Sequence, residues 1–162
     1  MKTTHSTQTE TKAQTKEKSA LDLLKTDHEK VLQLFKDFEE THTDSKKEKL
    51  AAEICDALTV HAQVEEELFY PELKTALKEK GIIMEASVEH AVMKELISQL
   101  ESGELDKEMR DATMKVLSEY TSHHIKEEQG DIFRAAKQTD IDLQELGARM
   151  AERFDSLRES LH

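Results

Sequence analysis

The chain has 162 residues, of which 36% are apolar and 36% charged, a composition that suits a single globular domain. Only four glycines and one proline occur among many Ala, Glu, Lys and Leu residues, which favours helices over strands. A formal net charge of −12 would repel nucleic acid, and no apolar stretch is long enough for a transmembrane helix or a secretory signal. We therefore expect an all-α cytoplasmic protein that binds neither nucleic acid nor membrane.

The first predicted segments are a polar tail and a helix. Residues 1–19 are mostly Thr, Lys, Gln, Glu and Ser without an apolar period, so they cannot bury enough surface to offset the entropy of ordering. From Leu21 to Phe38, apolar residues recur at three- and four-residue steps, which is the pattern of one helix face. This pattern predicts a first helix that ends at about Thr41.

The second predicted helix contains the single proline. Ser45 is followed three positions later by Glu48, which matches a capping box and predicts the start of the helix. The helix should reach about Lys80 and end at Gly81, because glycine adopts the left-handed conformation of a helix end readily. Pro71 should bend this helix, since its ring removes a backbone donor and crowds the preceding turn.

Three further helices complete the prediction. The third covers about residues 82–101 and the fourth about 104–138, so residues 20–138 should form an antiparallel, up-down four-helix bundle with short links. Residues 139–162 form an additional C-terminal amphipathic helix with one apolar stripe. We expect this helix to pack on the bundle or on a partner such as a second subunit.

Six residues on the apolar stripes carry the candidate chemistry. Four histidines interrupt the stripes of four different helices, and two glutamates lie four residues after two of them on the same faces. They are His28, His61, Glu65, His90, His124 and Glu128. Burying them unpaired would cost several kcal/mol per charge, on the order expected for buried ions, and no basic residue shares their stripes. Metal ions resolve this conflict, because imidazole and carboxylate suit iron, manganese or zinc and two carboxylates can bridge two ions.

The two halves of the chain repeat one pattern. Equivalent positions lie 62 or 63 residues apart: Asp27 and His28 with Glu89 and His90, His61 and Glu65 with His124 and Glu128, and Tyr70 with Phe133. The chain therefore reads as two helical hairpins, each supplying a histidine from its first helix and a His-x-x-x-Glu pair from its second.

The segments DHEKVLQLF, HAQVEEELFYPEL, EHAVMKEL and HHIKEEQGDIF resemble the hemerythrin and HHE cation-binding family over about residues 20–137. The resemblance implies a bundle around two iron ions that are bridged by an oxo or hydroxo group and by carboxylates, with manganese or zinc less expected. It gives the ligands as His28, His61, Glu65, His90, His124 and Glu128.

Two positions depart from the family's oxygen carriers. Lys94 stands where those carriers have a further histidine, and Gln129 stands where they have an aspartate, with Glu128 beside it. The resemblance then implies positions left for solvent, peroxide or nitric oxide. Lys94 either hydrogen-bonds a bound anion or extends to solvent, and solvent is favoured. His123 lies on a mixed face, which favours its neighbour His124 as the ligand.

The sequence leaves more than one function open. The preferred reading is a di-iron protein that binds or reacts with O2, H2O2, NO or small anions in redox or stress protection or in iron handling, with enzymatic turnover undecided. The alternative is a structural or interaction protein in which the metal only stabilises the bundle and takes part in no redox turnover. We expect a monomer or weak homodimer, an inert buried Cys55, and a Tyr120 that packs as a ring more readily than it reaches the metals.

Overall fold

The computed structural model describes residues 18–161, which are helical apart from short connections. In chain order the elements are α1 (Ala20–Glu40), α2 (Asp44–Val64), a first π segment (Glu65–Phe69), α3 (Tyr70–Ala76), α4 (Gly81–Glu101), α5 (Lys107–Glu127), a second π segment (Glu128–Ile132), α6 (Phe133–Lys137) and α7 (Leu143–Glu159). No strand occurs among the described residues, so the all-α prediction is confirmed. Within this part of the chain, every helix is too short or too polar to cross a lipid bilayer. The predicted tail lies outside the described residues except for Lys18 and Ser19.

The helices form a four-helix bundle with one additional helix. α2 runs through the first π segment into α3, and α5 runs through the second π segment into α6, which gives two long composite helices. α1 packs against α2, α4 packs against α5, and contacts of α2 with α4 and of α1 with α5 close the bundle. The short connections make sequential neighbours antiparallel. The predicted bundle and its extra C-terminal helix are confirmed.

The apolar core is divided into two clusters. One cluster contains Leu24 and Phe69 and includes the apolar face of α7, and the other contains Val31, Ile54 and Leu117 near the opposite end of the bundle. Each of the four long helices contributes to both clusters, and each carries a buried histidine between its two contributions. The polar side chains are therefore enclosed by apolar layers on both sides.

Several helix ends differ from the prediction. The second long helix ends at Ala76 and not at about Lys80, and Gly81 is the first residue of α4 instead of a left-handed cap. α2 begins at Asp44 after Thr43, so Ser45 lies inside the helix and the predicted capping box is wrong. The helix predicted from position 104 begins at Lys107, where the Asp106 side chain accepts from the backbone N–H of Met109 at 2.8 Å.

Helix α7 lies on the bundle along α1, α2 and the first π segment. Its inward side chains Leu146, Met150 and Phe154 are at most 1% exposed and belong to the same core cluster as the start of α1. Gly147 permits this approach, since a Cβ at that position would lie 2.7 Å from the backbone nitrogen of Ala20. The close contact of two backbones explains a glycine in the middle of a helix.

Candidate metal centre

The structure brings all six predicted ligands into one buried group between the two core clusters. Their residues are between 0% and 6% exposed: His28, His61, Glu65, His90, His124 and Glu128. Ligand atoms of His28, His61, Glu65 and Glu128 lie within 4.8 Å of one another, and so do ligand atoms of Glu65, His90 and His124. The two groups share Glu65, so one carboxylate belongs to both groups of potential ligands.

Glu128 also lies between the two groups. Its Oε1 atom is 3.2 Å from Nε2 of His28, and its Oε2 atom is 3.3 Å from Nε2 of His124. Within each group the histidines converge as well: the Nε2 atoms of His28 and His61 are 3.1 Å apart, and those of His90 and His124 are 3.3 Å apart. Glu65 and Glu128 are therefore both placed between the pair of His28 and His61 and the pair of His90 and His124.

The outer nitrogens of three histidines have hydrogen-bond acceptors. Nδ1–H of His61 donates to Oδ2 of Asp27 at 2.6 Å, and Nδ1–H of His124 donates to Oε1 of Glu89 at 2.8 Å. Nδ1–H of His28 donates to Oε1 of Gln129 at 2.8 Å. An acceptor on Nδ1 fixes the proton there in the neutral ring, so the Nε2 lone pair faces the centre.

The fourth histidine has a looser outer contact. Nδ1 of His90 lies 3.6 Å from Oε2 of Glu66 and forms no hydrogen bond within residues 18–161. Glu66 instead accepts a charge-assisted bond of 2.5 Å from Lys94, whose side chain is 54% exposed. Lys94 therefore extends toward solvent, as favoured from the sequence, and it does so as the partner of Glu66.

An aromatic residue at the centre was missed by the sequence reasoning. The Tyr70 hydroxyl donates to Oε2 of Glu128 at 2.5 Å and lies 3.3 Å from Nε2 of His90. Its repeat partner Phe133 is stacked near the ring of His28, with the centroids 6.3 Å apart. Tyr120, the tyrosine considered from the sequence, packs against the core cluster at the other end of the bundle.

The two π segments position the two central glutamates. Each segment begins at one of these glutamates: in the first, the backbone N–H of Tyr70 bonds to the carbonyl of Glu65, and in the second, the backbone N–H of Phe133 bonds to the carbonyl of Glu128. These five-residue steps widen one helical turn, a local distortion that is frequent at functional sites. Periodicity alone did not predict the segments, although they occur at equivalent places in the two halves of the repeat.

The carboxylate chemistry fits bound cations. Both side-chain oxygens of Glu65 and Oε1 of Glu128 are buried without a hydrogen bond among the described residues. Burial and the nearby charge of Glu128 raise the pKa of Glu65 to about 7. Burial acts in the same direction on Glu128, but its contacts with Glu65 and His124 hold its pKa well below the usual value. These oxygens face imidazole nitrogens, with Oε1 of Glu65 in contact with Nε2 of His61, and a bound metal ion would stabilise their negative charge.

The buried carboxylates also shift the pKa values of the imidazoles. Burial opposes charge on His61 and His124, yet the facing carboxylates raise the pKa of His61 well above its usual value and that of His124 to about 9. Burial and the neighbouring His124 lower the pKa of His90 to about 3. Negative charge at the centre thus attracts protons to two of the rings. A metal ion would supply the positive charge instead, leaving the rings neutral and able to coordinate.

Helix α7 reaches the outer side of the centre. Nη2 of Arg158 donates to Oδ1 of Asp27 at 2.9 Å, while the other oxygen of Asp27 accepts from His61. Burial raises the pKa of Asp27, but the bonds from His61 and Arg158 bring it below the usual value. The position of Asp27 immediately before His28 was visible in the repeat, whereas nothing in the sequence pointed to Arg158.

The surface beside the centre separates His123 from His124. His123 has a side chain that is 61% exposed, and its Nε2 atom lies 3.1 Å from Oε1 of Glu127 and 3.7 Å from Oε2 of Glu89. These three residues form a further group of potential ligand atoms at the surface. His124 points into the buried group, which is the orientation that the stripe pattern favoured.

Comparison with known proteins agrees with this geometry. Residues 19–136 match the hemerythrin HHE cation binding domain. The crystal structure of a hemerythrin HHE cation binding domain-containing protein from Mycobacterium kansasii is similar with a TM-score of 0.75 and 26% identity, covering 88% of this chain and 89% of that one. A protein of Nostoc sp. described as a DNA nickase is 28% identical over 117 residues, which are 72% of this chain but only 33% of that protein. The family match spans the whole four-helix bundle, and the chain therefore belongs to the hemerythrin HHE cation-binding domain family.

Proposed function

We propose that the chain binds two iron ions between its six buried ligands and that this centre binds or reacts with small oxidants or gases such as O2, H2O2 or NO. The observation that carries the proposal is the pair of ligand groups joined by Glu65, with Glu128 reaching a histidine of each group. One ion would leave several of these buried atoms without a partner. Two ions would use all six side chains.

The protein's own residues hold and orient the centre. Asp27, Glu89 and Gln129 hold three rings with Nε2 facing inward. The donor set of two carboxylates and four imidazoles suits non-haem iron, and manganese or zinc is the alternative metal. When bound, iron would supply redox chemistry and open coordination positions. The Tyr70 hydroxyl is placed to hold a proton at Oε2 of Glu128.

The proposal does not extend to nucleic acid. The DNA nickase relative is about three times longer than the matched region, so its activity concerns a protein with much additional chain. The present chain carries a formal net charge of −12, which gives no electrostatic support for binding a phosphate backbone. We propose small molecules as the partners of the centre.

Metal analysis with spectroscopy tests the proposal. Protein purified without oxygen should contain two irons per chain, and its visible spectrum should change on exposure to air, peroxide or nitric oxide. His61→Ala and His124→Ala should each lower the metal content to one or none, whereas His123→Ala, a matched change next to a ligand, should leave it at two. One metal in fully loaded protein would contradict the dinuclear centre. Two zinc ions without any spectral response would favour the alternative of a metal-stapled structural protein.

A further inference from the structure

The strongest feature outside the ligand set is a cavity that opens on the centre. It has a volume of about 260 Å³ and lies among α1, α2, α4 and α5. Its floor contains all four ligand histidines: His28, His61, His90 and His124. Its walls are mostly apolar and buried: Val31, Leu58, Met93, Ile97 and Ile125. A molecule in this cavity would have an apolar environment on its sides and the proposed metals at one end.

The size of the cavity exceeds the needs of a diatomic gas or hydrogen peroxide. Water occupies roughly 30 Å³ per molecule in the liquid, and an apolar cavity of about 150 Å³ is enough to bind benzene. Hydrogen peroxide would find few hydrogen-bond partners along these buried walls, because Thr121 is the one polar residue that the described helices lining the cavity contribute between the histidines and the exposed entrance. The Thr121 hydroxyl contacts Sδ of Met93 at 3.5 Å. The walls favour an apolar molecule that gains free energy by leaving water.

The entrance of the cavity indicates the charge of its ligand. The exposed lining residues are Thr59, Lys94, Ser98 and Glu101. Lys94, the lysine among the lining residues, is paired with Glu66 at 2.5 Å. Glu101 adds a carboxylate at the entrance, which an organic anion would have to pass. A neutral molecule would meet no such barrier.

We propose that this cavity binds a neutral, mainly apolar organic molecule of about single-ring size, with its polar end directed toward the ligand histidines. The proposal rests on the proposed function in so far as the metals would lie at that end of the cavity, and it adds an organic ligand to the small oxidants or gases proposed for the centre. The apolar walls bind the organic part, and Leu58 and Ile97 contribute on facing helices. The histidine floor then places the polar group next to the metals.

Calorimetric titration of the metal-loaded chain with 2-phenyl-2-propanol tests the proposal. Saturable one-to-one binding is expected, with a spectral change if iron is present. Ile97→Phe, which fills the cavity, should weaken binding by at least about tenfold, a difference of roughly 1.4 kcal/mol. Ser98→Trp should do the same by blocking the exposed entrance without altering the core. Gln99→Trp is the matched control on the neighbouring exposed position and should leave binding within about twofold.

The outcomes separate this inference from the proposed function. Two metals with normal spectral responses, but no saturable binding of the alcohol, would overturn the cavity ligand and leave the centre standing. Binding that is equally strong in Ile97→Phe and Ser98→Trp would place the alcohol elsewhere and would also overturn it. Saturable binding that both variants weaken, in a chain without two metals, would support the cavity and count against the dinuclear centre.

Discussion

Removal of the Asp27 carboxylate charge gives the sharpest test of how the centre is held. In the structure this carboxylate accepts from Nδ1 of His61 at 2.6 Å, and both residues are less than 10% exposed. Asp27→Asn keeps an oxygen that can accept the same proton but removes the charge that strengthens the bond. Changes to such outer partners typically weaken metal binding by about 10- to 100-fold, or roughly 1.4 to 2.7 kcal/mol. Asp27→Ala should cost more, because the ring also loses its orientation.

The assay is competition with a coloured chelator on the metal-loaded protein, with circular dichroism as the check on folding. The release curve should become biphasic, since Asp27 contacts only one of the two ligand groups. Glu89→Gln should affect the other metal through His124, which it contacts at 2.8 Å. Glu29→Gln removes the same charge at an exposed site on α1 and is the control. Unchanged metal affinity in Asp27→Asn, or an equal loss in Glu29→Gln, would refute the reasoning.

Three further predictions concern the framework and can be measured by urea unfolding and thiol labelling. Gly147→Ala should lower the free energy of unfolding by about 1–3 kcal/mol, because the new Cβ would press on the backbone at Ala20. Gly130→Ala has open space around the new Cβ and should raise the free energy of unfolding by about 0.5–1 kcal/mol. If both substitutions changed the free energy of unfolding in the same direction, the close approach of α7 to α1 would be contradicted. Phe154→Ala should lower the free energy of unfolding by about 3–5 kcal/mol, because Phe154 is only 1% exposed. Leu161 is 42% exposed, so Leu161→Ala should lower it by less than about 0.5 kcal/mol. Burial raises the pKa of Cys55 to about 12, so native protein at pH 8 should resist thiol reagents until it unfolds; rapid labelling would show that the thiol is accessible.

The general architecture was predictable because it follows from periodicity. Apolar stripes with 3.6-residue spacing define the four long helices, and the same spacing placed six polar residues inward. Helix ends were less predictable, because several neighbouring residues can each begin or end a helix and the sequence does not show which of them does. Gly81, for example, was expected to end a helix, but the backbone leaves the helix after Ala76 and the next helix begins at Gly81 itself.

The residues around the six candidate ligands were harder to predict. Asp27 and Glu89 were visible as repeat partners, yet their contacts cross from one helix to another and no stripe predicts the acceptor that a given ring will find. Arg158 lies 131 positions from Asp27 and outside the repeat, so only the docking of α7 brings the two together. The glutamate beside His90 is Glu66, one of three consecutive glutamates, and nothing in the sequence distinguishes it from Glu67.

The repeat predicts equivalent ligands on the two sides of the centre, but the surroundings in the structure make the two sides different. On one side the outer acceptor of His28 is the neutral Gln129, and the ring of Phe133 stacks nearby. On the other side the residue equivalent to Gln129 is a glutamate held away by Lys94, and the residue equivalent to Phe133 is Tyr70, whose hydroxyl enters the centre.

This difference gives the two sides distinct properties. The side with His28 and His61 is covered by α7 and by aromatic rings, with Phe154 lying 6.1 Å from the ring of His61. On the side with His90, the Tyr70 hydroxyl lies 3.3 Å from Nε2 of His90. Nδ1 of His90 has no hydrogen-bond partner in the described part of the chain. A ring without a fixed outer acceptor is freer to adjust when its metal changes coordination. In the proposed dinuclear centre, the His90 side would therefore be the one suited to exchange ligands, and the His28 side the one suited to hold its metal firmly.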